Sequence, residues 1–239
     1  MFTFPAMLMG GASAVDLRSA VLDPIGTYEI SCAHDSAISL SGDLTIEFWT
    51  FFSTVGGSYA FNFCSKGTGF GSGWTLEFAK SIGAAISWRT GSGGGSSTQR
   101  VGWAWSTPSA GTWYHIALTY DVSQSQVNEA KLYINAVDQG LPSITTTNNF
   151  SSIGTNSSPL VWGEQVFGGG TEVQHFCEMR LWDHVRTSTQ ISDNKDTTVD
   201  PSSSGLVAYI HPTTTIEDVS DSALTLTTTG VTTSTEVPF

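Results

Sequence analysis

Basic residues are scarce in this chain. Only 9 of its 239 residues are Lys or Arg, against 21 Asp and Glu, and the formal net charge is −12. Binding to nucleic acid or to an anionic membrane requires a cationic patch, and no cluster of Lys and Arg occurs in the sequence. We therefore expect no nucleic-acid partner and no membrane insertion. The acidity either keeps the protein soluble or attracts divalent cations.

Cysteines and long apolar runs are also few. Cys32, Cys64 and Cys177 are widely spaced without a C-x-x-C pair, which argues against a disulfide framework or a zinc site. Three buried thiols fit synthesis in a reducing cytoplasm, and one disulfide plus a free thiol is the alternative. No apolar run reaches the length of a membrane span. Ala12-Ser13-Ala14 resembles a cleavage site, but Pro5 interrupts the apolar stretch and no basic residue precedes it, so we expect no signal peptide.

The chain is rich in residues that favour strands. Charged residues form only 13% of it, whereas it has 13 Phe, 8 Trp and 6 Tyr; long surface helices would need more Glu, Lys and Arg. In the stretch from Trp113 to Asp121, Ile116, Leu118 and Tyr120 alternate with Trp113 and Ala117. A strand that is apolar on both faces is covered on both faces, which predicts a central position in a layered β structure.

Several strand-like segments and one short helical turn occur in a recognisable order. They are Leu44–Trp49, Trp113–Asp121 with Lys131–Asn135, Phe176–Trp182, Arg186–Ile191, Leu206–Tyr209 and Asp218–Thr228. Together they resemble the laminin-G-like, or concanavalin A-like, jelly-roll domains from about Tyr28 to Thr228. The resemblance implies an all-β fold: a two-sheet antiparallel jelly-roll sandwich with one short helical turn. A Thr187-x-x-Gln190 capping box starts that turn.

The sequence departs from the family pattern at two points, one in a turn and one inside a strand. The family usually has Asn-Gly after the Lys131–Asn135 strand, but here Ala136 follows Asn135. Because glycine adopts positive φ angles at low cost, we expect this turn to be shaped differently. Cys177 or Glu178 replaces a family glycine inside the Phe176–Trp182 strand, which affects close backbone packing there.

Catalysis by this fold would need paired carboxylates. Glycanases that resemble it carry Glu-x-Asp-x-x-Glu on one strand, and two of these groups cleave the sugar. That motif is absent, Glu47 and Glu77 each stand alone, and Glu178 and Asp183 are an odd number of residues apart. His115 matches a structural histidine of the family. We predict that the protein is not an enzyme, and a glycoside hydrolase is the weakest alternative.

Two kinds of binding site are candidates. Relatives of the fold often bind Ca²⁺ in loops, and the loop residues with suitable oxygens are Asp121, Asn128, Glu129 and Asp138. No other cofactor is expected. Tryptophans near loops can stack on sugar rings, and the candidates for glycan contact are Trp103, Trp105 and Trp162. Because aromatic residues dominate cores, a place in the core is favoured over glycan contact for all three.

The N-terminal segment differs in character from the rest of the chain. An uncharged arm, residues 1–14, precedes a single sandwich domain, residues 15–239, and its apolar residues are Phe2, Phe4, Met7, Leu8 and Met9. We expect this arm to dock on a neighbouring chain, with its own sandwich as the alternative. The function predicted is that of a virion structural protein made in the host cytoplasm: a capsid decoration, tail or fibre component. Its partners are other copies of itself, neighbouring capsid or tail proteins and a host-surface glycan. A lectin-like carbohydrate-binding module is the alternative.

Overall fold

The computed structural model describes residues 17–22, 28–54, 60–67, 72–79, 85–92, 98–105, 108–124, 126–146, 153–167 and 173–239. The arm with Phe2, Phe4, Met7, Leu8 and Met9 lies outside these residues. In chain order the strands are β1 (Ser19–Leu22), β2 (Glu29–Cys32), β3 (Leu44–Phe52), β4 (Ala60–Gly67), β5 (Ser72–Ala79), β6 (Ala85–Ser92), β7 (Thr98–Ala104), β8 (Thr112–Tyr120), β9 (Ala130–Ile134), β10 (Val137–Asp138), β11 (Ile144–Thr146), β12 (Leu160–Phe167), β13 (Gln174–Trp182), β14 (Leu206–Ile210), β15 (Leu226–Thr229) and β16 (Val231–Ser234).

These strands form two antiparallel sheets of eight strands each. Sheet A has the order β10-β9-β8-β3-β13-β1-β16, and β14 pairs with the end of β13. Sheet B has the order β11-β7-β6-β5-β4-β12-β2-β15. The all-β, two-sheet jelly-roll prediction is confirmed. No helix in the described part of the chain is long and apolar enough to cross a membrane.

The main core lies between the two sheets. Ile116, Leu118 and Tyr120 of β8 point into it, as do Trp74 and Leu76 of β5. The residues of β8 that alternate with these lie on the other face, where Ala117 belongs to a separate small cluster. The prediction that β8 is an interior strand covered on both faces is confirmed, because β9 and β3 flank it in the sheet and Ala117 on its outer face is 0% exposed. All three cysteines are buried free thiols that form no disulfide bond, as expected.

One short helix, α1 (Ser188–Asn194), follows β13. Its start is the predicted capping box: the Gln190 backbone N–H donates to Thr187 Oγ1 at 3.2 Å, and the Thr187 N–H donates to Gln190 Oε1 at 2.8 Å. Ile191 then packs with Ala117 and Tyr133 on the outer face of sheet A. A 3-10 turn at Gln126–Asn128 was not predicted.

The turn between β9 and β10 corrects one prediction. Asn135 and Ala136 have φ angles of 52° and 63°, so both adopt the left-handed conformation that a family Asn-Gly pair would adopt. Ile134 pairs with Val137, which leaves a two-residue loop, and such loops in hairpins favour positive φ at both positions. The expectation of a different shape is therefore wrong. The register of β9 and β10 fixes the two-residue turn, and Ala136 therefore adopts a left-handed conformation that is unfavourable for a non-glycine residue.

Candidate functional site

The outer face of sheet A carries buried charges that sequence reasoning did not find. Glu47 on β3 is 0% exposed, Glu178 and Arg180 on β13 are each 1% exposed, and Arg186 just after β13 is 5% exposed. Alternation along β3 turns Glu47 away from the main core, which contains its neighbours Ile46 and Phe48. Buried charges are costly unless they are paired and hydrogen-bonded, so their partners decide what this face does.

Arg186 ties the segment before α1 to sheet A. Its Nη1 donates to Glu47 Oε1 at 2.5 Å, and its Nη2 donates to Asn194 Oδ1 at 2.5 Å. The Arg186 backbone N–H donates to Thr45 Oγ1 at 2.9 Å, and the guanidinium carbon lies 4.2 Å from the centre of the Trp182 ring. One arginine thus joins β3, the end of β13 and α1, and its planar head is held in a single orientation.

Glu178 is the centre of the second buried set. It accepts hydrogen bonds from Arg180 and from the Tyr209 hydroxyl, the latter at 2.6 Å, and its other oxygen contacts His211 Nδ1. Arg180 also donates to the Asn194 carbonyl at 2.9 Å. Burial tends to raise the pKa of the Glu178 carboxyl, but the His211 hydrogen bond and the Arg180 charge outweigh it and lower that pKa.

Of the two residues that could replace the family glycine, Cys177 and Glu178, only Glu178 has the positive φ angle that glycine favours. Glu178 has a φ angle of 53°, and the pairing of β13 with β3 shifts register between Cys177 and Arg180, which marks a β-bulge. A left-handed conformation costs a non-glycine residue about 1–2 kcal/mol. The hydrogen bonds of the Glu178 carboxylate compensate for that cost.

These carboxylates are poorly placed for hydrolysis. A glycoside hydrolase needs two carboxyl groups that reach the glycosidic bond, whereas Glu47 and Glu178 are enclosed by their arginine partners. His115, predicted to be structural, is also buried here, and its Nε2 lies 3.8 Å from Glu47 Oε2. Burial and the nearby cations Arg180, Lys195 and Arg186 lower its pKa to about 3. The buried set holds the fold together on this face.

The outer face of sheet B brings together charges that the sequence separates. Strand register places Glu164, Asn62 and Glu77 in one row across β12, β4 and β5. Asn62 donates to Glu164 Oε2 at 2.9 Å. Arg89 and Arg100 lie 2.7 and 3.7 Å from Glu77 Oε1. Glu77, which the sequence left isolated, is therefore a member of an ion-pair cluster.

An open cleft of about 290 Å³ lies beside the buried Arg186. We call it the β9 cleft. It forms where β8, β9 and the loop between them face the segment that precedes α1. Its lining residues come from chain segments more than 50 positions apart: Thr119, Asp121, Gln124, Asn128, Glu129, Lys131, Tyr133, Val185, Arg186, Thr187 and Ser188.

Three of the four proposed calcium ligands line this cleft, but they do not form a metal site. Asp121 Oδ1 accepts from the Ser123 N–H at 2.9 Å, and its Oδ2 accepts from Gln124 at 3.2 Å. Asp138 lies elsewhere, on β10, where it accepts from the Gly140 N–H at 2.7 Å. Asn128 borders the cleft as an exposed residue. Asp121 and Asp138 thus each stabilise a separate turn.

Glu129, the remaining proposed calcium ligand, is also engaged by other side chains. Its carboxylate accepts from Gln99 at 2.9 Å and from the Tyr120 hydroxyl at 3.1 Å, so it is engaged in the interior. Lys131 and Arg186 line the same cleft, and two cations oppose the binding of Ca²⁺. Among the residues that the structure describes, no three of His, Cys, Asp and Glu are grouped to hold a metal. The donor set does not fit calcium.

The predicted glycan-facing tryptophans are buried. Trp103, Trp105 and Trp162 are 3%, 9% and 1% exposed and belong to the main core. Trp162 packs edge-on against Phe48 at 5.8 Å, and the Trp103 indole N–H donates to the Gly140 carbonyl at 2.9 Å. The glycan-facing hypothesis is wrong and the favoured core placement is correct, because packed sheets lie about 10 Å apart and large rings fill that space.

A second cleft, of about 350 Å³, also has Arg186 in its wall. We call it the α1 cleft. Its lining residues are Trp182, His184, Arg186, Gln190, Asn194, Thr198, Val199, Asp200, Ser203 and Ser204. Sequence reasoning placed no binding residue in this region. The signal was the capping box, which fixes where α1 starts and therefore which residues flank it.

Comparison with known proteins supports the fold described above. Residues 26–192 match the model of the concanavalin A-like lectin/glucanases superfamily. No curated protein sequence matches the chain. A structure from Bacteroides ovatus, of a protein to which carbohydrate binding has been ascribed, is 18% identical with a TM-score of 0.63, and the match covers 92% of this chain and 60% of that one.

Two toxin domains are also similar. The binding domain of Paraclostridial Mosquitocidal Protein 1 is 16% identical with a TM-score of 0.56, and the match covers 73% of this chain and 42% of that one. The binding domain of botulinum neurotoxin serotype G is 14% identical with a TM-score of 0.53, with 69% and 39% covered. The chain thus spans 60% or less of these three structures, and at such identities the likeness concerns the fold. With its two eight-stranded sheets and the family match over most of its length, this chain belongs to the concanavalin A-like lectin/glucanases superfamily.

Proposed function

We propose that this protein is a non-enzymatic, lectin-like domain that binds a surface glycan in the β9 cleft. The observation that carries the proposal is the convergence of hydrogen-bonding side chains from β9, the loop before it and the start of α1. In sites for small ligands, a few convergent polar groups fix the orientation of the ligand and provide specificity.

The chemistry of the cleft suits sugar hydroxyls. Asn128 and Lys131 are exposed and can donate hydrogen bonds, while Ser188 offers a hydroxyl from the start of α1. The capping box and the Arg186–Glu47 pair hold that start in place before any ligand arrives. A cleft organised in advance loses less conformational entropy on binding, which favours affinity.

The ion pairs made by carboxylates in the described part of the chain support a non-enzymatic role. Glu47 and Glu178 are enclosed with arginines, and Glu77 is paired with Arg89. A glycosidase acid must instead deliver a proton to the sugar. The fold relatives point the same way, since one has carbohydrate binding ascribed to it and the others are toxin binding domains.

A glycan array tests this proposal. We expect the protein to bind one class of glycan, and the double variant Asn128→Ala/Lys131→Ala to weaken that binding at least tenfold, or about 1.4 kcal/mol. A matched double variant of exposed residues outside the cleft, Glu217→Ala/Thr232→Ala, should bind like the original protein. Binding to no array glycan, or equal binding by both double variants, would contradict glycan binding in this cleft.

We further propose that the domain is displayed on a virion as a capsid decoration, tail or fibre component. Supporting this, the arm leads into β1, while the β9 cleft borders β8 and β9. β13 and β3 lie between β1 and β8 in sheet A, which separates the two strands by roughly 14 Å. An arm docked on a neighbouring capsid or tail protein, or on another copy, would leave the cleft free to meet a host glycan.

Solution mass tests the docking role of the arm. Light scattering of the full chain and of residues 15–239 at matched concentration should show a self-associated full chain and a monomeric truncation. Circular dichroism of both proteins checks that the truncation remains folded. A folded truncation that associates as fully as the intact chain would rule out assembly through the arm.

A further inference from the structure

We infer that the α1 cleft is a second subsite of the same glycan-binding surface, so that the ligand is an oligosaccharide of at least two sugar units that spans Arg186. This inference rests on the proposed binding of a glycan in the β9 cleft. It adds a site and a minimum ligand length.

The two clefts share one rigid element. Arg186 lines both of them, and its guanidinium is fixed by Glu47, Asn194 and the face of Trp182. The two clefts therefore have one wall residue in common, and the proposed ligand extends from one cleft to the other past Arg186. Because the arginine is already held by the protein, contact with a ligand requires no reordering of its long side chain.

The α1 cleft offers its own hydrogen-bonding groups. Thr198 and Ser204 are exposed, and they line the cleft with Ser203 and Gln190. Gln190 uses its Oε1 to accept from Thr187, while its amide N–H groups donate to no residue in the described part of the chain. Uncharged hydroxyl and amide groups of this kind match sugar hydroxyls, which both donate and accept.

The size of the surface also favours an extended ligand. The clefts measure about 290 and 350 Å³, and each is near the lower limit of roughly 300 Å³ for ligand pockets. A single sugar unit in one cleft leaves the other unused. A chain of two or more units gains contacts in both clefts, and its second unit binds as part of a molecule that is already held.

Calorimetry with the full chain tests the inference. The probes are the monosaccharide, disaccharide and tetrasaccharide prepared from the array glycan that binds most tightly. The original protein should bind the tetrasaccharide at least tenfold more tightly than the monosaccharide. Thr198→Ala/Ser204→Ala should weaken tetrasaccharide binding at least tenfold and leave monosaccharide binding within twofold, whereas Asn128→Ala/Lys131→Ala should weaken both.

The outcomes separate the two proposals. Equal affinity for monosaccharide and tetrasaccharide, or an unchanged tetrasaccharide affinity in Thr198→Ala/Ser204→Ala, would overturn the second subsite while glycan binding in the β9 cleft stands. If no array glycan binds, the proposed function and this inference both fail. Thermal unfolding of the two double variants, whose changes are at exposed positions, shows whether a loss of binding reflects a loss of fold.

Discussion

The two faces of sheet A are both buried, but by different means. The inner face is apolar and packs on sheet B, with Ile46, Phe48 and Leu118 fully buried. The outer face, formed by residues that alternate with these, buries Glu47 and Arg180 under the 183–199 segment instead. The inner face stabilises the fold in proportion to the apolar area that it buries, and this hydrophobic contribution does not depend on the direction of individual contacts. The outer face depends on individual charges finding individual partners, so a single substitution there can leave a charge unpaired.

The largest effect should come from breaking a pair on the outer face. Arg180→Met leaves the buried Glu178 carboxylate without its cation, and we expect a loss of about 3–5 kcal/mol in the free energy of unfolding. The double variant Glu178→Gln/Arg180→Met removes both charges and should regain more than 1 kcal/mol of that loss. Urea unfolding measures both. A double variant that is less stable than the single one would show that charge burial does not control this face.

The inner face should respond through cavity formation. Leu118→Ala should destabilise the protein by about 2–5 kcal/mol, the range for a leucine deleted from a packed core. Trp113 lies on the same strand but on the outer face and is only partly buried, so Trp113→Ala should cost less despite the larger side chain. Thermal unfolding ranks the two variants. The reverse order would contradict the assignment of the two faces of β8.

Acid should act on the outer face through His115. Burial lowers the pKa of this side chain to about 3 in the folded protein, from an ordinary value of 6.5. The unfolded chain therefore binds the extra proton between these values, and stability is lost as the pH falls from about 6.5 towards 3, by up to about 1.4 kcal/mol per pH unit. His115→Gln lacks this proton site. The difference in unfolding free energy between the original protein and His115→Gln should change with pH between about 6.5 and 3. Parallel pH profiles of the two proteins would refute the role of His115 in acid sensitivity.

The smallest effect should be a gain in stability at the β9–β10 turn. Ala136 is held at a φ angle of 63°, which costs a non-glycine residue about 1–2 kcal/mol. Ala136→Gly should therefore stabilise the protein by about 1 kcal/mol. The control Ala104→Gly, in the exposed end of β7, should destabilise it by about 0.5–1 kcal/mol. Calorimetric melting temperatures that fall in both variants would show that the turn is not strained.

The sequence predicted the sandwich well and the candidate site poorly. The two-sided apolar pattern of β8 and the capping box before α1 were both sufficient, because each concerns residues close together in the chain. Trp103 and Trp162 were poor candidates for glycan contact because proximity to a loop says nothing about which side of a strand faces the core. The β9 cleft could not be predicted, since Lys131 and Thr187 meet only after β8, β3 and β13 have paired.

By itself, the sequence determined the fold class, the inner face of β8 and the start of α1, and it favoured three free cysteines. These follow from alternation, local capping and cysteine spacing, which are short-range properties. Tertiary structure alone decided that Glu47 is buried against Arg186, that Glu178 takes a left-handed conformation and that the two clefts share one arginine. The reason is physical: the partners of a buried charge and the walls of a cleft come from distant segments, and strand register brings those segments together.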